Sequence, residues 1–220
     1  MTNFNGERKG CLDVFKSYLV AEAFYEGEPE IPKLRATDEV PKKLIPFSQA
    51  VSSKDYDCWV HFYEDDCKFE RIWNNPTRYL KILSRFEGVI TPDFSVYRDM
   101  PKVMQEWNIY RSRAFAFALQ RQGTNVIVNI RFGDARTYET ACLGVPENAS
   151  IAFGTHGIMK DREDRDIFRE GLEFAVLKLK PKTIIVYGTT PSEIFEIYKQ
   201  ENIEILRFES MFAKKHRKEN

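Results

Sequence analysis

The 220-residue chain has only three histidines and four cysteines, no net charge, and no apolar run near the roughly 20 residues that span a bilayer. Each shortage removes a class of function. Without a long apolar run no membrane span is expected, and Met1 to Gly10 is polar and lacks a signal-peptide core, so a cytosolic protein is expected. Cys11, Cys58, Cys67 and Cys142 are scattered, and a chain this size needs no disulfides to hold its core, so reduced thiols are expected. The run Cys58-x-x-His61-x5-Cys67 is not read as a metal site. Alternation along a strand sends Cys58 and His61 to opposite faces, and structural zinc wants four ligands at tighter spacing. Lys plus Arg (33) equals Asp plus Glu (33), so no global field draws the chain to nucleic acid or an anionic membrane. Nor is there a Ser-His-acid order, paired-carboxylate spacing, a P-loop or a dinucleotide fingerprint.

What the chain does have is a recurring unit. Five times between Tyr56 and Gly188 an apolar, strand-like stretch runs into a polar cluster, usually with a helix-like stretch after it. The clusters are Glu64-Asp65-Asp66, Pro92-Asp93-Phe94-Ser95, Arg131-Phe132-Gly133-Asp134, Gly154-Thr155-His156-Gly157 and Gly188-Thr189-Thr190-Pro191. In alternating β/α folds the ends that follow the strands gather on one rim, and ligands bind there.

Strands are expected over Lys43 to Phe47, Cys58 to Tyr63, Gly88 to Thr91, Asn125 to Arg131, Ser150 to Phe153, Thr183 to Tyr187 and Ile203 to Phe208. Helices are expected over Leu12 to Phe24, Phe69 to Phe86 with a break near Pro76, Pro101 to Gln122 with Asp99 as N-cap, Ala135 to Cys142, Arg165 to Leu179 and Ser192 to Gln200. Residues 1–55, rich in Pro, Gly and charge, read as an irregular extension packed on the core; 56–210 read as one α/β domain, and 211–220 as a basic, flexible tail. Strands separated by helices imply a mostly parallel sheet, either an incomplete barrel or an open doubly wound sheet. Asn129 tilts the reading toward the barrel: it shares a face with Ile127 and Arg131, and a polar side chain late in a buried strand needs a cleft or a partner.

The candidate chemistry lies on the expected rim. Asp93 can act as a general base, ligate a divalent cation, or accept from a ligand hydroxyl; Asp93 and the neighbouring Ser95 equally suit a turn cap after proline, and Glu64, Asp65 and Asp66 either bind a cation or form a solvated acidic turn. His156 is the single histidine at an expected rim position, either a proton shuttle or a structural side chain. Asn108 and Arg111 share a helical stripe, and Arg111 either clamps phosphate or pairs with a rim acid to hold the structure. Asn129, Arg131, Asp134, Thr155, Gly157, Gly188, Thr189 and Thr190 complete the set, the Gly/Thr turns offering backbone amides to an anion.

Three motifs carry a resemblance: Glu64-Asp65-Asp66-x-x-Phe69-Glu70-x-x-Trp73-Asn74-x-Pro76, then Gly88-Val89-Ile90-Thr91-Pro92-Asp93-Phe94-Ser95-x-x-x-Asp99-Met100-Pro101, and Trp107-Asn108-x-Tyr110-Arg111-Ser112-Arg113. From about Ile45 to Tyr187 the chain resembles domain of unknown function family 4417, found in phages and bacterial mobile elements. The resemblance implies a phage or mobile-element origin and a host-cytoplasm setting, and no catalytic roles. The expectation is a rim that binds a phosphate-bearing ligand, a nucleotide or nucleic-acid end. The alternative is an interaction protein acting on a host or phage macromolecule.

Overall fold

Apolar residues on both faces of a strand are buried only when both faces are covered, and Val126-Ile127-Val128 and Ile184-Ile185-Val186 are buried throughout. The computed structural model, which describes residues 13–211 and 213, places both stretches inside one seven-stranded sheet. A short antiparallel ladder, β1 (Tyr25–Glu26) with β2 (Ile31–Pro32), precedes it in the chain. The sheet comprises β3 (Leu44–Pro46), β4 (Trp59–His61), β5 (Gly88–Ile90), β6 (Asn125–Asn129), β7 (Ser150–Gly154), β8 (Thr183–Tyr187) and β9 (Glu204–Phe208).

Every pairing in the sheet is parallel, and the strands lie side by side in chain order. An open doubly wound sheet needs a reversal of strand order, and there is none. Parallel crossovers are right-handed, so an unreversed order keeps the connecting helices on one face, and strand twist curls the other face inward. The result is a single α/β domain with its sheet curled into a half-barrel, the first of the two architectures expected.

Alternation along the strands sorts the core into two parts. Val60, Val89, Val126, Val128, Ile151, Phe153, Ile184 and Val186 join the large cluster under the helices. Trp59, Ile90, Ile127, Ala152 and Ile185 form a second cluster on the concave face, flanked by Leu44, Leu206 and Phe208. Trp59 packs over its register partner Gly88, where a Cβ would stand 2.5 Å from two indole carbons.

The helices are α1 (Phe47–Ala50), α2 (Asp66–Phe69), α3 (Arg71–Asn74), α4 (Pro76–Leu83), α5 (Lys102–Arg121), α6 (Tyr138–Cys142), α7 (Arg162–Leu179) and α8 (Ser192–Gln200). The helix expected over Phe69 to Phe86 is three short ones. Asn75, at φ −138°, breaks the run and caps α4, its side chain accepting from the Arg78 N–H at 3.3 Å, and Pro76 follows where a missing N–H does no harm. Asp99 is not the cap of α5: Pro101 holds that position and Asp99 is exposed in the turn before it. At the other end Gly123 takes φ +83° and stops the helix.

The amphipathic stretch expected to be a helix through Phe24 contains only a 3-10 turn at Ser17–Val20, because Lys16 and Glu22 adopt left-handed φ values of 60° and 66°. Leu12, Met1 to Gly10, Cys11 and the basic run Lys214 to Lys218 lie outside the described residues. Residues 13–55 are more than an extension, since β3 and α1 belong to the half-barrel. The irregular part is tied to α5: the Arg35 N–H donates to Gln120 Oε1 (2.9 Å), and Gln120 Nε2 returns a bond to the Arg35 carbonyl (2.7 Å). No described helix is long and apolar enough to cross a membrane. At the C-terminal end of the strands the curl brings distant elements together, with the His61 and Tyr187 rings 4.4 Å apart and Gln49 Nε2 4.0 Å from Met211 Sδ.

Candidate functional site

At the mouth of the half-barrel, inward-facing polar groups form a connected chain. Asn129, the last residue of β6, is buried; its backbone N–H donates to Thr91 Oγ1 (2.9 Å) and its carbonyl accepts from Arg113 Nη1 (3.3 Å). With the backbone so pinned, Asn129 Oδ1 accepts from Tyr63 Oη (3.0 Å) and Asn129 Nδ2 donates to Asp93 Oδ1 (2.7 Å). The other Asp93 oxygen faces Arg131 Nη1 at 3.8 Å, too far for a hydrogen bond. Among the described residues the Arg131 guanidinium makes no hydrogen bond, although its side chain is only 26% exposed.

Burial pushes the Asp93 carboxyl above the usual carboxylate range, and the Asp66 charge adds to the rise; Arg131 and the bond from Asn129 oppose it. Burial, then the Asp93 charge, also holds the Tyr63 phenol well above its ordinary value. A carboxyl raised by desolvation, one oxygen fixed by an amide and the other turned to a cation, has the character of a general acid or base.

Around this chain lie planar side chains. Tyr63 stacks on Tyr187 with centroids 4.9 Å apart, and His61 lies against both rings. The Tyr63 N–H donates to His61 Nδ1 (3.2 Å). An open cleft of about 800 Å³ borders Tyr63, Asp93, Ser95, Arg131, His156 and Tyr187. A second cavity of about 610 Å³ adjoins it, and both are bordered by Tyr97, Arg131, Gly154 and His156. These sizes fall within the range of small-molecule sites.

Not every expected residue reaches this place. Asp93, Ser95, Arg131 and His156 border the large cleft, Gly157 borders the smaller cavity, and Asn129 acts from behind Asp93. Arg111 does not. Its Nη1 donates to Glu70 (2.6 Å), its Nη2 to Asn108 Oδ1 (2.7 Å), and its guanidinium lies 3.9 Å from the Phe94 ring centroid. Asn108 in turn donates to the Ser95 carbonyl (2.6 Å), so this pair fastens the loop that carries Asp93 to α5 and to the α2–α3 junction, and neither residue borders the two cavities. The acid that Arg111 meets, Glu70, lies at the junction of α2 and α3 and is not one of the strand-end acids.

The remaining turns are engaged in the same way. Asp134 caps the turn at Ala135 and pairs with Arg136, which holds its carboxyl below the ordinary range. Thr155 Oγ1 donates to the Thr189 carbonyl (2.8 Å), and the Gly188 N–H donates to the Phe208 carbonyl (2.8 Å). Gly188, Thr189 and Thr190 border neither cavity. Thr155 and Gly188 join loops.

Of the metal candidates, Asp66 takes two bonds from Ser95 (N–H, 3.1 Å; Oγ, 2.8 Å), and Asp65 is 80% exposed beside Lys68. Glu64 is bound by Ser48. Among the described residues no group of three or more His, Cys, Asp and Glu is placed to hold a metal ion.

The site residues that sequence reasoning missed are His61, Tyr63, Tyr97 and Tyr187. Period-2 alternation with Trp59 on β4 and Ile185 on β8 was the signal that puts His61, Tyr63 and Tyr187 on the concave face. For Tyr97, in a loop, there was none.

A family model described as "Domain of unknown function (DUF4417)" matches residues 23–209. Two phage proteins are similar to the chain. The "Gene 1 protein" of Mycobacterium phage L5 is 34% identical over 183 residues, covering 81% of this chain and 79% of the phage protein. The "Gene 1 protein" of Mycobacterium phage D29 is 34% identical over 166 residues, covering 72% of this chain, which spans only 60% of that relative. No solved structure matches the chain.

Proposed function

Since the chain belongs to the DUF4417 family, whose description assigns no activity, we propose from its rim that the mouth of the half-barrel binds a small phosphate-bearing ligand, a nucleotide or nucleic-acid end. Asp93 is the acid/base group in this reading, Arg131 and His156 hold the phosphate, and Asn129 with Tyr63 positions Asp93. Likeness to two phage proteins supports a reading in which the chain works in the host cytoplasm.

The observation that carries the reading is Arg131. Its cation sits where the strand ends meet, on the border of two cavities, with only a loose ion pair to a carboxyl that burial pushes toward the neutral form. An arriving phosphate meets a guanidinium suited to bidentate contact. No step is assigned to a metal ion.

The test is thermal shift of wild type, Arg131→Gln and Asp93→Ala against inorganic phosphate, nucleoside monophosphates and short 5′-phosphorylated oligonucleotides. At about 100 times its dissociation constant a ligand stabilises by roughly 2.7 kcal/mol, or about 5 to 11 °C for a chain this long. Arg131→Gln is expected to lose the shift. Full binding by Arg131→Gln, or silence of folded wild type across the panel, defeats the proposal. Asp93→Ala with undiminished binding and activity removes Asp93 from its role.

A second reading, contact with a host or phage macromolecule, is favoured by one observation: Tyr97, Val103, Met104 and Trp107 are exposed around the start of α5. Silence across the panel transfers the assignment to that face.

A further inference from the structure

The cavity beside the mouth differs from the cleft in chemistry. Its border carries Phe132, Phe153, Ile167 and Phe168 beside Asp99 and an Arg98–Asp164 pair (3.8 Å), whereas that of the cleft carries Glu64, Asp65, Asp66 and Lys68. We infer that the aromatic and aliphatic part of this cavity is a second subsite, and that the ligand is an aromatic or heteroaromatic phosphate with its ring in the cavity and its phosphate at the Arg131–His156 border. The inference rests on the phosphate reading given above.

Three observations carry it. First, the cavity is preformed. The half-buried Phe132 ring is wedged edge-on against Tyr138 (5.0 Å) and tilted against Phe168, and it lies where a Cβ on Gly171 would have to sit, so this wall has little room to collapse. Second, the two spaces communicate across a residue without a side chain. Gly154 borders both, and a Cβ there would stand 2.8 Å from the Tyr63 ring. Third, charge decides the orientation. A phosphate drawn to Arg131 and His156 is repelled by the acidic wall of the cleft, and a ring attached to it gains by leaving water against phenylalanine and isoleucine. The volume of about 610 Å³ admits a group of nucleoside size as readily as a phenyl ring.

The experiment compares inorganic phosphate, phenyl phosphate and adenosine monophosphate by calorimetric titration of the full chain. Wild type is expected to bind the two ring phosphates at least tenfold more tightly than inorganic phosphate, a difference of about 1.4 kcal/mol. Ile158 and Ile167 both border the cavity. Ile158→Trp and Ile167→Trp, made separately so that one misfolded variant does not end the test, are expected to remove the tenfold preference and leave inorganic phosphate binding unchanged. Equal affinity of wild type for all three probes overturns this inference and leaves the phosphate site standing. So does a folded tryptophan variant that keeps the preference. Failure of wild type to bind any probe overturns the phosphate reading itself, and this inference with it.

Discussion

Replacing Asn129 by alanine tests the polar chain at its centre. The side chain is 2% exposed, and alanine removes the acceptor for Tyr63 and the donor to Asp93 while leaving the backbone bonds to Thr91 and Arg113 in place. A neutral hydrogen bond contributes about 0.5 to 1.5 kcal/mol net and one to a charged group about 1.5 to 3, so the loss is roughly 2 to 4.5 kcal/mol. For a chain of this length that lowers Tm by about 4 to 18 °C. Urea and thermal denaturation at neutral pH measure it. Tyr63→Phe in both backgrounds supplies the control, because without Asn129 the Tyr63 hydroxyl has lost this acceptor, and the double variant should lose less than the sum of the single losses. A loss under about 1 kcal/mol, below the range expected for these two bonds, or strict additivity of the two changes, would refute the claim that these bonds hold the site together.

Asp93→Asn should melt above wild type at pH 7. Burial raises the carboxyl above its ordinary value of 3.8, so stability present at and below that value is lost by wild type as pH rises through the raised one, whereas the amide is neutral throughout. The gap should close as pH falls toward 3.8, and a variant that melts lower at pH 7 contradicts the assignment. Gly88→Ala places a Cβ 2.5 Å from the Trp59 indole, which is itself buried against the concave face. Overpacking of this kind costs about 1 to 3 kcal/mol, and an unchanged denaturation midpoint would show that the indole is free to move.

Local pattern determined most of the elements. The strands at Asn125–Asn129, Ser150–Gly154 and Thr183–Tyr187, and the helices Lys102–Arg121 and Ser192–Gln200, lie within one or two residues of expectation, because apolar periodicity and Gly or Pro stops act over a few residues. The polar residue late in a buried strand, Asn129, pointed to a curved sheet with a rim, since such a side chain must find a partner. Where the chain departed from its pattern, single backbone conformations decided: left-handed Lys16 and Glu22 cut the expected first helix to a turn.

Partnership was settled by tertiary structure alone. Asp93, Arg111 and Arg131 look equally free in sequence, yet Glu70, in a different element, engages Arg111, while Asn129, itself bound by Tyr63, holds Asp93 and leaves Arg131 facing a cavity. Local pattern tells a residue whether to be buried and on which face. Which charge stands opposite depends on strands brought together from 36 or more residues apart, and only the curled sheet sets those distances.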